Sequence, residues 1–158
     1  MKYTRKKIGS VSAEIIICFI ALIPIFFLIF DLIIVYAGYQ TNQTFSRDAA
    51  RAASLLLPPK QGKQTDGPLF LRASQICANG RNMVKGYLSG PILENVEVMN
   101  FTPPGPFGGT YSGTVTVRTT LKVKVPAAIP GLIPEIVTVK GVSTFPLTGV
   151  VQSSVQVN

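Results

Sequence analysis

The chain contains no His and no Trp, and it carries seven acidic side chains against 15 Lys and Arg. Without His, the commonest general base, the commonest metal ligand and the usual partner of a nucleophilic Ser or Cys are all missing. No Walker loop, paired-glycine dinucleotide turn or Cys-x-x-Cys occurs. Glu94 and Glu97 suggest a carboxylate pair, but a spacing of three puts them on opposite faces of a strand. The sequence therefore predicts a non-enzymatic protein with no cofactor and no metal site. It has only two Cys. Cys18 lies in an apolar run and Cys77 beyond it, so an internal disulfide is not expected. Cys77 reads as a small buried residue on a helix, with an intermolecular disulfide as the alternative.

The formal net charge of +8 is unevenly placed. Lys2, Arg5, Lys6 and Lys7 supply four of those charges, and no later run of basic residues is interleaved with aromatics, so nucleic acid is not an expected partner. Charge is then almost absent. From Ile15 to Ala37 the only formal charge is Asp31, and a helix over that stretch would be roughly 34 Å long, enough for one transmembrane span. Pro24 lies inside it, which membrane helices tolerate when neighbours re-satisfy the freed carbonyl. The basic cluster before the span, set against Arg47 and Arg51 as the first basic residues after it, predicts a cytoplasmic N-terminus and an external remainder. With 158 residues, there is room for one small external domain besides the span.

The helical pattern continues past the apolar run. Val35, Tyr39, Phe45, Ala49, Ala52 and Leu56 form a stripe, Gln40, Gln43, Arg47 and Arg51 fall on the other side, and Asp48 is placed to pair with Arg51. One helix from about Ser12 to Leu57 is expected. "PPKQGKQTDG", 58–67, reads as a linker. A second helix follows, capped by Asp66 or Gly67 with Pro68 in its first turn, and with Leu69, Ala73, Ile76, Met83 and Tyr87 as its apolar face; Asn79-Gly80 is a candidate break. "TVTVRTTLKVKV", 114–125, alternates strictly and predicts a half-buried strand. "NVEVMNF", "EIVTVKGVSTF" and "GVVQSSVQVN" read as three more. The expected fold is α+β: a long N-terminal transmembrane helix extending into a second helix and a small antiparallel sheet of about four strands. The expected segments are a leader over 1–9, the span and its extension over 10–57, linker and second helix over 58–91, and the β domain over 92–158. The loop "PAAIPGLIP", 126–134, is unusually apolar; Ile129, Leu132 and Ile133 make it a candidate to pack on the domain, touch lipid or dock on a partner subunit.

The most informative stretch is "KKIGSVSAE". A basic leader, Gly9, four further residues and Glu14 opening an apolar helix resemble the processing site of type IV prepilins. The resemblance implies cleavage after Gly9 by a prepilin peptidase, with Ser10 becoming the first residue. Gly lets an extended backbone approach a protease closely. A carboxylate at the bilayer centre costs about 2.5 to 3.5 kcal/mol, less near the interface, unless it is paired. In pilin assemblies that acid pairs with the N-terminus of a neighbouring subunit, so the resemblance assigns Glu14 to subunit register; the alternative is a carboxylate that reaches into the headgroup region. The order of leader, "GSVSAE", apolar run, Asp31, "AARAA" and paired strands about a Pro-rich loop is similar to the TadE/TadF-like pseudopilins of the tight-adherence (Flp) pilus. Ile15, where that family commonly has an aromatic, and the late Pro24 depart from its pattern.

By that resemblance the chain is a non-catalytic, inner-membrane subunit acting in assembly of a tight-adherence pilus for surface adhesion and biofilm formation. Its implied partners are the prepilin peptidase, other pseudopilins, the major Flp pilin, the inner-membrane assembly platform and the lipid bilayer. Asp31 is a candidate for intramembrane pairing or a marker of the outer interface. Three rivals stand beside this reading. One is a pseudopilin of a type II-like secretion system. Another is a secreted binding domain released by cleavage after Ala37, opposed by an apolar run longer than export signals carry and by Asp31 within it. The third is an uncut membrane anchor unrelated to pili.

Overall fold

The computed structural model describes residues 4–58, 60–84, 86–106, 108–126 and 134–152. Its first element, helix α1, runs unbroken over Thr4–Ser54, 51 residues or roughly 76 Å at the standard rise. Pro24 is accommodated within it. From Ser12 to Phe30 every residue is exposed, and Asp31 is the first buried one. The apolar window of this helix is only 6% buried, whereas the core helix of a water-soluble domain would be covered. α1 is thus a candidate membrane span, long and apolar enough to cross a bilayer.

Beyond Asp31 the same helix becomes the spine of a domain. The chain turns, forms a three-residue strand β1 (Gly62–Gln64), and enters α2 (Gly67–Met83). Asp66 is the extended N-cap residue and Pro68 sits in the first turn, where its missing donor costs nothing. Asn79-Gly80 does not end this helix, which carries on to Met83. Gly80 is instead a contact: a Cβ there would come within 2.5 Å of the Phe45 ring, so glycine is what lets α2 lie against α1.

Three long strands follow: β2 (Ile92–Thr102), β3 (Gly108–Lys124) and β4 (Ile136–Gln152). With β1 they make one antiparallel sheet in the order β1-β2-β3-β4. The alternation in β3 is realised with one exception: Val115, Val117, Thr119, Leu121 and Val123 are completely buried and Arg118, Lys122 and Lys124 are exposed, but Thr116, on the expected polar face, is also buried, its hydroxyl sharing a 2.9 Å hydrogen bond with that of Thr144. The fold class is the α+β arrangement that the sequence predicts, with three differences in detail. The linker contributes strand β1, and the strand expected over 135–145 runs on without a break into the first residues of the one expected from Gly149, as far as Gln152, beyond which the expected strand lies outside the described residues. Pro146 interrupts neither pairing nor direction, because β4 is an edge strand, where a missing donor is tolerated. Its pairing runs from Ile136 opposite Lys124 to Gln152 opposite Gly108.

The third difference concerns the seam between α1 and the sheet. Tyr39 is exposed and Phe45, Ala52 and Leu56 are only half-buried, whereas Gly38, Asn42, Ser46, Ala49, Ala50 and Ala53 are buried. Small and polar residues win these positions because the helix lies directly on the backbone of β3 and β4. A Cβ on Gly38 would stand 2.5 Å from the Val123 side chain and 3.1 Å from Leu88. The core on either side of this seam is divided. The larger cluster gathers Ala49, Ala53, Leu69, Ala73, Val96, Val115 and Leu147 at the end far from the span. The smaller gathers Leu121, Val123 and Val139 with Ile34, Val35, Leu88 and Val137 at the near end.

Candidate functional site

The sequence-predicted site residues are distributed along α1. Gly9 and Ser10 belong to its first turns, with helical backbone. Glu14 is exposed one turn further on, in the flank of the apolar segment. Asp31 lies about 26 Å from Glu14 along the axis by the standard rise, so the helix does not bring the two carboxylates together. Their surroundings differ as well. Asp31 is 4% exposed although its neighbours Phe30 and Leu32 are exposed. Ile129, Leu132 and Ile133 lie outside the described residues. The two ends of their loop are joined by a bond in which the Val125 N–H donates to the Glu135 carbonyl, 2.9 Å.

Between the two apolar clusters is a polar layer that the sequence reading missed. Asn42 is fully buried, and its Nδ2 donates to the carbonyls of Val139 (2.9 Å) and Thr119 (3.3 Å). Thr119 Oγ1 donates back to Asn42 Oδ1 at 2.9 Å. One turn along, Ser46 Oγ donates to the Val117 carbonyl at 3.2 Å. Gly141, opposite Thr119 in the ladder, keeps the space open: a Cβ there would meet Asn42 at 2.9 Å. A buried amide satisfied on both its nitrogen and its oxygen fixes the helix in register on the sheet. The available signal was the spacing Gly38, Asn42, Ser46, Ala50, one small residue every turn.

Along the flank of this seam the surface of α1 is polar and open. Gln40, Gln43, Thr44 and Arg47 line a cleft of about 270 Å³ against Ser143 of β4. Tyr36 and Tyr39, just past the apolar run, accept hydrogen bonds from Gln40 and Gln43 at 2.7 and 3.2 Å. Such amphipathic rings suit the water boundary of a bilayer. Among the described residues, the ion pairs are Arg118–Glu97 at 3.8 Å and Lys124–Glu135 at 3.6 Å, both exposed; Asp48 and Arg51 do not pair. Glu94 falls at the bulge of β2 between Leu93 and Asn95, and Glu97 is engaged by Arg118, so they form no catalytic dyad. No group of three or more Cys, Asp or Glu side chains gathers into a metal site among the described residues.

Both thiols are free, Cys18 exposed on the apolar segment and Cys77 buried on α2. Burial pushes the Cys77 thiol up to about 11, with the charge of Arg81 pulling weakly the other way. At neutral pH it stays protonated and acts as a small core residue. The chain matches no family model, and neither a curated protein nor a solved structure is similar to it.

Proposed function

We propose that this chain is a membrane-anchored minor pilin or pseudopilin that acts, without catalysis of its own, in assembling a tight-adherence pilus. The observation that carries the reading is the continuity of α1. From Ser12 to Phe30 it is bare and, apart from Glu14, largely apolar, and its second half is the spine of a small antiparallel sheet, with no hinge between them. Such a subunit is built to be drawn out of a membrane as one body, with the apolar half passing from lipid into contact with other subunits. The leader, Gly9 and Glu14 add the processing signal that this route requires. In this reading the N-terminus is cytoplasmic, the domain lies outside the inner membrane, and the prepilin peptidase, assembly platform and major pilin are its partners.

The architecture weighs against a domain released by cleavage after Ala37. Ile34 and Val35 pack in the near cluster with Leu121, Val123 and Val139. A cut after Ala37 would strip both from the core and expose the cluster they cover.

The test is the intact mass and first residue of the protein purified from its native membrane. A chain beginning at Ser10 is expected. A chain still beginning at Met1 would remove prepilin processing and with it the case for a pilus, and one beginning at Gly38 would make it a secreted domain. Given the Ser10 terminus, Glu14→Ala is expected to abolish incorporation into pili while leaving the subunit folded in the membrane.

A further inference from the structure

We propose that the rim of the β domain nearest the span, formed by Met83, Tyr87, Lys122, Lys124, Ile136 and Lys140, docks on the same bilayer by binding anionic phospholipid headgroups. The inference rests on α1 crossing a bilayer and does not depend on pilus assembly.

The contacts of Gly38 set the level of this rim. Gly38 follows the apolar run, and it lies against Val123 of β3 and Leu88. β3 therefore ends, and β4 begins, beside the point where α1 leaves the apolar segment. The chain from α2 arrives at the same level: Tyr87 O accepts from Lys124 N at 2.6 Å, Ser89 N donates to Lys122 O at 2.8 Å, and Leu88 bridges Val123. No linker separates this rim from the span, since α1 is helical throughout.

The chemistry of the rim is amphipathic. Met83 is 78% exposed, Ile136 54% and Tyr87 48%, a cost in water that the edge of a bilayer removes. Lys122, Lys124 and Lys140 are exposed on the uncovered face of the sheet, where Ile136 is the ladder partner of Lys124 and the Tyr87 carbonyl accepts from the Lys124 N–H. The carboxylates nearest in the fold are Glu135, engaged by Lys124, the buried Asp31, and Glu94 further along β2. A basic surface with exposed apolar side chains, held at the headgroup level by its own anchor, is complementary to anionic lipid; long Lys side chains extend to the phosphates while their stems stay on the protein. The alternative occupant, an acidic face of another protein, would match the charge but not the position at the membrane boundary.

The absence of Trp provides a direct probe. The full-length chain carrying Met83→Trp or Tyr87→Trp as its sole indole is placed in nanodiscs whose phosphatidylcholine is chain-brominated, with and without phosphatidylglycerol. Blue-shifted, quenched emission is expected in discs containing phosphatidylglycerol, relieved by high salt. Replacing Lys122, Lys124 and Lys140 together by Gln should reduce the ratio of docked to undocked rim by on the order of ten- to a hundredfold. Lys63→Gln, on β1 at the other edge of the sheet, should leave the emission unchanged. Emission that is unquenched in anionic discs, or equally quenched in neutral discs and in the triple variant, would overturn the proposal. A rim unquenched in discs but protected in native membranes would mean a protein occupant and would overturn it too. Failure of the chain to enter discs at all would overturn the span itself, an outcome distinct from an unprocessed N-terminus.

Discussion

The two halves of α1 share one backbone and obey opposite rules. Between Ile15 and Phe30 the side chains are mostly large and apolar, and none is covered by the protein: Ile17, Phe19 and Phe26 are each more than 60% exposed. After Asp31 the buried positions belong to Gly38, Asn42, Ser46 and the alanines. Burial within this helix therefore does not go to its greasiest residues. A bulky apolar surface needs no protein cover where lipid is the solvent, whereas a helix pressed onto a sheet needs small side chains and satisfied polar ones.

That contrast is most directly broken at Asn42. Asn42→Leu would strip the donors from Thr119 O and Val139 O, orphan the Thr119 hydroxyl and overfill the seam, at an expected cost of about 3 kcal/mol to the domain, or more if the helix shifts. Thermal unfolding of the detergent-solubilised protein measures it, and a double-mutant cycle with Thr119→Val separates the pair from the clash. Gly80→Ala comes next: the Phe45 ring must move, for roughly 1 to 3 kcal/mol by the same assay. Alkaline pH should have a smaller effect. The folded Cys77 pKa is about 11 against an ordinary 9.0, so folding favours the protonated thiol. Its contribution is fully present below about pH 9 and is lost as pH rises toward about 11, because the unfolded chain releases that proton first. Cys77→Ala should flatten this part of the stability profile. Arg118→Gln, which removes an exposed ion pair, should change stability by less than about 1 kcal/mol. Phe26→Ala should sharpen the comparison by doing least, with a shift in domain stability within about 0.5 kcal/mol despite the size of the ring removed.

The span, most of the second helix and the long alternating strand were legible because each has its own period and the solvent on each side is simple; the apolar face expected of the second helix holds for Leu69, Ala73 and Ile76 but not for Met83, exposed at its last residue, or Tyr87, exposed beyond its end. The seam was not. Gly38, Asn42 and Ser46 resemble solvent-facing residues until the sheet is laid on them, and Tyr39 resembles core although its ring points outward. Gly141, Pro146 and Gly149 likewise read as breaks in β4, but an edge strand needs no donor on its free side, and two of those positions accept a neighbouring side chain where a Cβ would be crowded. β1 carries no periodicity at all in three residues, Gly62–Gln64. For the candidate site, the leader and Glu14 are readable only as a pattern. The polar layer on Asn42 was hidden, because its partners are backbone carbonyls that are 77 and 97 residues away.

The unbroken passage from span to domain also has a mechanical meaning. A helix without a hinge transmits rotation as well as displacement, so the rotation of the apolar half about its axis fixes the direction in which the sheet points. One residue added between Phe30 and Gly38 would turn the domain by about 100° and raise it by about 1.5 Å relative to the span. The length of this segment is thus an angular setting, and a change of a single residue there would point the domain in a different direction.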